Sequence, residues 1–192
     1  LPYLAAEPGR APPRESLAAM FWPDHERAAA LTNLRQVLHD LRKVINAAWQ
    51  ASPPLQVSRD SVRLALVPGL ELDLVKFQEP GPSCPSTPCS DHCSSCLARM
   101  AVQCGLYLGE FLAGFAVSGC PDFEAWLQVQ REAFHLRALS LLARLSDCHE
   151  QRGDPEIALQ FAMRFHRLEP WNEVGLRRLM RLYGTKARVM LG

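Results

Sequence analysis

At 192 residues the chain has room for one large domain or two small ones. Its 48% hydrophobic and 21% charged residues exclude wholesale disorder, and no apolar run approaches the roughly 18 residues that a membrane-spanning helix needs. A formal net charge of +1 excludes a uniformly basic nucleic-acid tail. The chain opens on Leu1 with no signal-peptide pattern, and it reads as a cytoplasmic fragment cut inside its first helix.

Residues 14–21 read as a short helix with Leu17, Met20 and Phe21 on one face, stopped by Pro23. Residues 27–46 read as a longer one, because Leu31, Leu34, Leu38, Leu41 and Ile45 step by three or four and form one apolar stripe. The opposite face carries Thr32, Arg35, Gln36, His39, Arg42 and Lys43, which all donate hydrogen bonds of the kind that phosphates and base edges accept. Two short β segments follow, 55–57 and 62–66, around the turn Ser58-Arg59-Asp60-Ser61, with Arg59 at its tip and Arg63 beside it. Over residues 27–63, Arg27, Arg35, Arg42, Lys43, Arg59 and Arg63 stand against only Asp40 and Asp60, whereas the chain beyond residue 70 is nearly neutral. A helix with a polar basic face followed by a basic hairpin is the pattern of a winged helix, whose helix enters the major groove while the hairpin touches the backbone. From the spacing alone, the same residues also read as the solvated side of an amphipathic helix.

The proline-rich stretch 79–91 is the clearest break in the chain. It divides the sequence into an expected DNA-binding part over 1–70, a linker over 71–92 and a helical part over 93–192. Residues 121–152 are long enough for one helix of about eight turns, or for two with a bend. Gly153-Asp154 reads as a helix stop followed by a new cap, with helices over 155–168 and 172–183 joined at Pro170-Trp171. Helix pairs with a proline at the joint follow the tetratricopeptide pattern, which builds surfaces for partners. Trp126, Phe134, Phe161, Phe165 and Trp171 read as core, and the overall fold class is mainly α.

Five of the seven cysteines, Cys84, Cys89, Cys93, Cys96 and Cys104, crowd around the break, with His92 among them. Cys93 and Cys96 have the two-residue spacing that holds one edge of a metal, and two of Cys84, Cys89 and His92 complete a tetrahedron for one structural Zn²⁺. Three alternatives stay open: unpaired thiols in a variable insert, disulfides, and an iron–sulfur cluster on Cys89, Cys93 and Cys96. A cytoplasmic compartment disfavours disulfides. The cluster's triplet spacing belongs to a barrel chemistry for which the chain has no alternating strands and helices. The sequence has no glycine-rich phosphate loop, HExxH or serine elbow, and its histidines are scattered, so it reads as non-enzymatic.

Several stretches resemble a known family. Leu4-Ala5-Ala6-Glu7-Pro8-Gly9-Arg10, Arg14-Glu15-Ser16-Leu17-Ala18, Phe21-Trp22-Pro23-Asp24, Asn33-Leu34-Arg35-Gln36-Val37-Leu38 and Leu41-Arg42 are similar to the OmpR-type winged helix of bacterial regulators of the antibiotic-regulatory-protein class. In that class a bacterial transcriptional activator domain, related to tetratricopeptide repeats, follows the winged helix. Leu106–Phe115, Phe123-Glu124-Ala125-Trp126, Arg152–Leu159, Leu168-Glu169-Pro170-Trp171 and Leu176–Met180 resemble its signatures in order. The family's first strands and most of its first helix have no counterpart here, and residues 184–192 do not match the repeat's continuation.

The resemblance implies a DNA-binding transcription regulator. Its base and backbone contacts fall on Arg35, Gln36, His39, Arg42, Lys43, Arg59 and Arg63. Double-stranded DNA is the implied partner, together with a homodimer or protein contact through the helical part, and no membrane. The rival expectation is a sensory or protein-interaction module of a larger signalling protein that keeps the shape without the DNA role.

Overall fold

The computed structural model describes residues 1–49, 52–80 and 93–191, with side chains of the last helix through residue 187. It is mainly helical. The elements are α1 (Pro2–Ala6), α2 (Arg14–Phe21), α3 (Arg27–Ile45), a 3₁₀ turn (Asn46–Ala48), β1 (Leu55–Val57), β2 (Val62–Leu64), α4 (Asp73–Gln78), α5 (Ser94–Leu106), α6 (Pro121–Gln151), α7 (Pro155–Leu168) and α8 (Glu173–Leu191). They fall into two compact units: Leu1–Lys76 with Leu112–Gln130, and Phe77–Phe111 with Arg131–Gly192. No helix among the described residues is long and apolar enough to cross a membrane.

In the first unit, the α3 stripe does what its period requires. Ala30, Leu34 and Leu38 are buried, and Leu31, Leu41 and Ile45 pack against the same core. Leu4, Leu17 and Ala18 supply the other helical side, and Leu55, Val62 and Leu64 close it from the hairpin. The strands pair antiparallel, Leu55 with Leu64 and Val57 with Val62, so alternation buries Val62 and Leu64 and leaves Arg63 outside. The hairpin is tied to the start of α2: Val62 N–H donates to the Pro12 carbonyl at 3.1 Å, and Arg14 N–H to the Asp60 carbonyl at 2.8 Å.

Residues 112–130 complete this unit with aromatic rings. Phe123 packs 5.2 Å from Phe21, and Trp126 lies 4.8 Å from Tyr3 and donates its indole N–H to Glu7. Cys120 Sγ donates to the Phe21 carbonyl at 3.3 Å. The Phe123–Trp126 stretch therefore belongs to the core of the unit that contains α3.

In the second unit, Phe77 stacks on Tyr107 and meets Phe134 edge-on, and Phe111 meets Phe134 from another side. Helix α6 is uninterrupted over Pro121–Gln151, which resolves the choice between one helix and two. Gly153, at φ +82°, makes the turn into α7, a backbone conformation that side chains resist. The Asp154 side chain makes no cap hydrogen bond and lies 3.5 Å from His149 instead, so the expected cap is absent there. Helices α7 and α8 bury Ala158, Leu159, Ala162 and Leu182 against one another. Arg178 and Arg181 of α8 clasp Asp147 and Glu150 of α6 through paired hydrogen bonds of 2.7–3.0 Å.

Three readings of the sequence change. Trp171 is 93% exposed and is no core residue, because the turn between α7 and α8 leaves it no neighbouring surface to cover it. In α7, helical phase turns Ile157 outward while Ala158 and Leu159 face in. The last helix runs past Gly184 to Leu191, because that glycine keeps helical backbone instead of the left-handed stop. Within the stretch read as linker, Asp73–Gln78 is helical and buries Phe77.

Candidate nucleic-acid interface

Helix α3 presents two chemically distinct sides. Leu34 and Leu38 point into the core, while Arg35, Gln36, His39, Arg42 and Lys43 are exposed. Residues three and four apart share a face, so Arg35, His39 and Arg42 form one ridge of nitrogen donors. Gln36 Nε2 donates to the Asp40 carboxylate at 3.2 Å, which orients both side chains on the adjoining strip.

The ridge borders a cavity of about 300 Å³ lined by Arg14, Arg35, Leu38, His39, Arg42, Val57 and Ser58. Three guanidiniums and an imidazole thus face one space with no carboxylate among its lining residues. Arg14, the first residue of α2, arrives there through the backbone bond to Asp60 that ties hairpin to helix. Ser58 is held by its own turn: its Oγ accepts from the Ser61 N–H at 2.9 Å and from the Asp60 N–H at 3.3 Å. Arginine forks can pair with two oxygens of a phosphate, so the lining has the chemistry to receive an oxyanion.

The hairpin carries the remaining candidates. Arg59 is exposed at the turn, and Arg63 faces solvent from β2 with its Nε donating to Gln56 of the opposite strand at 2.8 Å. The structure therefore brings Arg35, His39 and Arg42 together and places Gln36 and Lys43 on the same exposed helix. Arg59 and Arg63 lie on the hairpin and are not among the cavity's lining residues. Arg14 and Ser58 are additions that sequence reasoning missed. Arg27, at the start of α3, is engaged with Glu15 of α2. On the apolar side of α3 lies a larger cavity of about 550 Å³, bordered by Leu17, Phe21, Trp22, Leu34, Val37 and Leu41 among others.

Of the expected metal ligands, Cys84, Cys89 and His92 lie outside the described residues. Cys93 directly precedes α5, half-buried, with its Sγ 2.9 Å from Ser95 Oγ, and Cys96 is buried in the first turn. Among the described residues no group of three or more His, Cys, Asp or Glu side chains gathers in a form that could hold a metal ion.

Comparison with protein-family models, curated proteins and solved structures returns no match to this chain.

Proposed function

We propose that the chain is part of a DNA-binding transcription regulator. On this reading the first unit is a winged helix: α3 lies in the major groove, and the β1–β2 hairpin is the wing that meets the neighbouring backbone. The second unit is a tetratricopeptide-like scaffold for dimer or protein contacts, consistent with the turn-linked α6, α7 and α8. The carrying observation is the convergence of Arg14, Arg35, His39 and Arg42 on one carboxylate-free cavity beside the exposed face of α3. The likeness of the sequence to the antibiotic-regulatory-protein class supports the same reading.

The test is a gel-shift salt series on mixed-sequence duplexes, followed by selection of a preferred site. Binding should weaken steeply with salt, because each phosphate contact releases condensed counterions. Arg35→Ala and Arg42→Ala should each cost about 1–3 kcal/mol on the preferred site and relax the choice at a base pair. Absence of binding at low salt would overturn the proposal. It would favour the second reading, a protein-interaction module, for which the exposed apolar side chains of Trp171, Val174 and Met180 are the supporting observation.

A further inference from the structure

The proposed DNA role leaves the Cys93-Ser94-Ser95-Cys96 turn unused. Cys93 stands just outside α5 at φ −59° and ψ 124°, half-buried, whereas Cys96 lies one turn further on and is 6% exposed. Cys93 takes the N-cap position and Cys96 follows three residues on, in the first turn of the helix. Backbones in that relation fall within the roughly 4.4–6.8 Å Cα separation that a disulfide spans. Two hydroxyls and a cation complete the surroundings: Ser95 Oγ is 2.9 Å from Cys93 Sγ, and Arg152 Nη2 donates to Ser94 Oγ at 3.1 Å. Cys93 is the more exposed of the two thiols, and Cys96 lies beyond it on the same helix. Cys104 on the same helix is 1% exposed, and burial pushes its thiol up against the opposing pull of Arg164.

We propose that Cys93 and Cys96 form a reversible dithiol–disulfide pair, with Cys93 the attacking sulfur, Cys96 the resolving one, and a low-molecular-weight disulfide of the glutathione type as exchange partner. Cys93 sulfur attacks one sulfur of the partner, whose S–S bond breaks; the departing sulfur takes up the proton that Cys93 gave. Cys96 sulfur then attacks Cys93 sulfur, the mixed disulfide breaks, and the second thiol leaves with the proton from Cys96. Two thiols of the protein are oxidised, one small disulfide is reduced to two thiols, and the two electrons and two protons balance. This inference is independent of the DNA reading.

The full chain, purified reduced and without added metal, is equilibrated in glutathione buffers of graded redox ratio, trapped with N-ethylmaleimide and sequenced by tandem mass spectrometry. Cys93 and Cys96 should lose the label together, with a mass deficit of about 2 Da and no retained glutathione. Cys96→Ser should hold one glutathione on Cys93, and Cys93→Ser should leave Cys96 free of glutathione. The wild-type readout does not depend on either variant folding. Three results would overturn the pair: disulfides from Cys93 or Cys96 to Cys84 or Cys89, label lost at only one of the two, or one bound zinc per chain that keeps both sulfurs from exchanging.

Discussion

Arg14 and Arg35 sit on different helices and line the same cavity because one backbone bond, Arg14 N–H to the Asp60 carbonyl, ties the head of α2 to the hairpin turn. In the proposed complex Arg14 is a phosphate contact and reads no base. Arg14→Ala should therefore weaken all duplexes about equally and reduce the slope of log affinity against log salt by about 0.9, in contrast to Arg35→Ala, which should also change sequence preference. An unchanged slope in Arg14→Ala would take it out of the interface. The cationic face of α3 was legible in the sequence, since Arg35, His39 and Arg42 lie opposite the leucine stripe. Arg14 and Ser58 were not, because nothing in a linear pattern states that the turn at residue 58 folds beside the start of α2. A second residue-scale expectation concerns alkali. Burial, reinforced by Glu110 and Glu132, pushes the Tyr107 phenol up, and burial does the same to the Cys104 thiol. Both hold their protons more tightly folded than unfolded, so their contribution is intact below the ordinary pKa values of about 8.5 and 10 and is lost as pH rises through the raised ones. Urea midpoints should fall as pH rises past those ordinary values, and less steeply for Tyr107→Phe; parallel curves would contradict this.

Helix α8 shows how one residue type has opposite meanings within one element. A Cβ added at Gly175 would lie 2.7 Å from the Phe165 ring, whereas one at Gly184 would meet nothing within 4 Å. Gly175→Ala should destabilise the protein by about 1–3 kcal/mol through overpacking. Gly184→Ala should stabilise it by about 0.4–1 kcal/mol, because only the unfolded chain loses freedom. Chemical denaturation of the pair tests this, and equal effects would sink it. The contrast also explains what could be read from sequence. Helices α2, α3 and α7 were legible because their apolar period or flanking prolines set both face and ends. The end of α8 was not, since a glycine stops a helix only when its backbone turns left-handed, and Gly184 stays helical. Helix α5 carries Leu97, Met100 and Cys104 at buried helical intervals, a stripe that the crowd of cysteines obscured. Trp171 was misassigned because hydrophobicity predicts burial only where the fold supplies a neighbour.

At the scale of the molecule, the mainly helical class followed from composition and period, but the division into units did not. Proline density marks residues 79–91 as a break, yet the first unit takes Leu112–Gln130 from beyond it. That exchange depends on ring contacts of long sequence separation, Tyr3 with Trp126 and Phe21 with Phe123, which periodicity does not reveal. It also fixes an order of events during synthesis. When residue 76 leaves the ribosome, α2, α3 and the hairpin are present but their aromatic partners are not yet made. At translation rates of about 5–20 residues per second, the rings of Tyr3 and Phe21 wait several seconds for Phe123 and Trp126 to emerge. Chains arrested just beyond residue 76 should stay protease-sensitive and bind chaperones, whereas chains arrested far enough on for residue 130 to clear the exit tunnel should become resistant in their first seventy residues. Early resistance would mean that the α2–α3–hairpin core folds without its late-arriving rings. Residues 112–130, made late, thus complete the unit to which the beginning of the chain belongs.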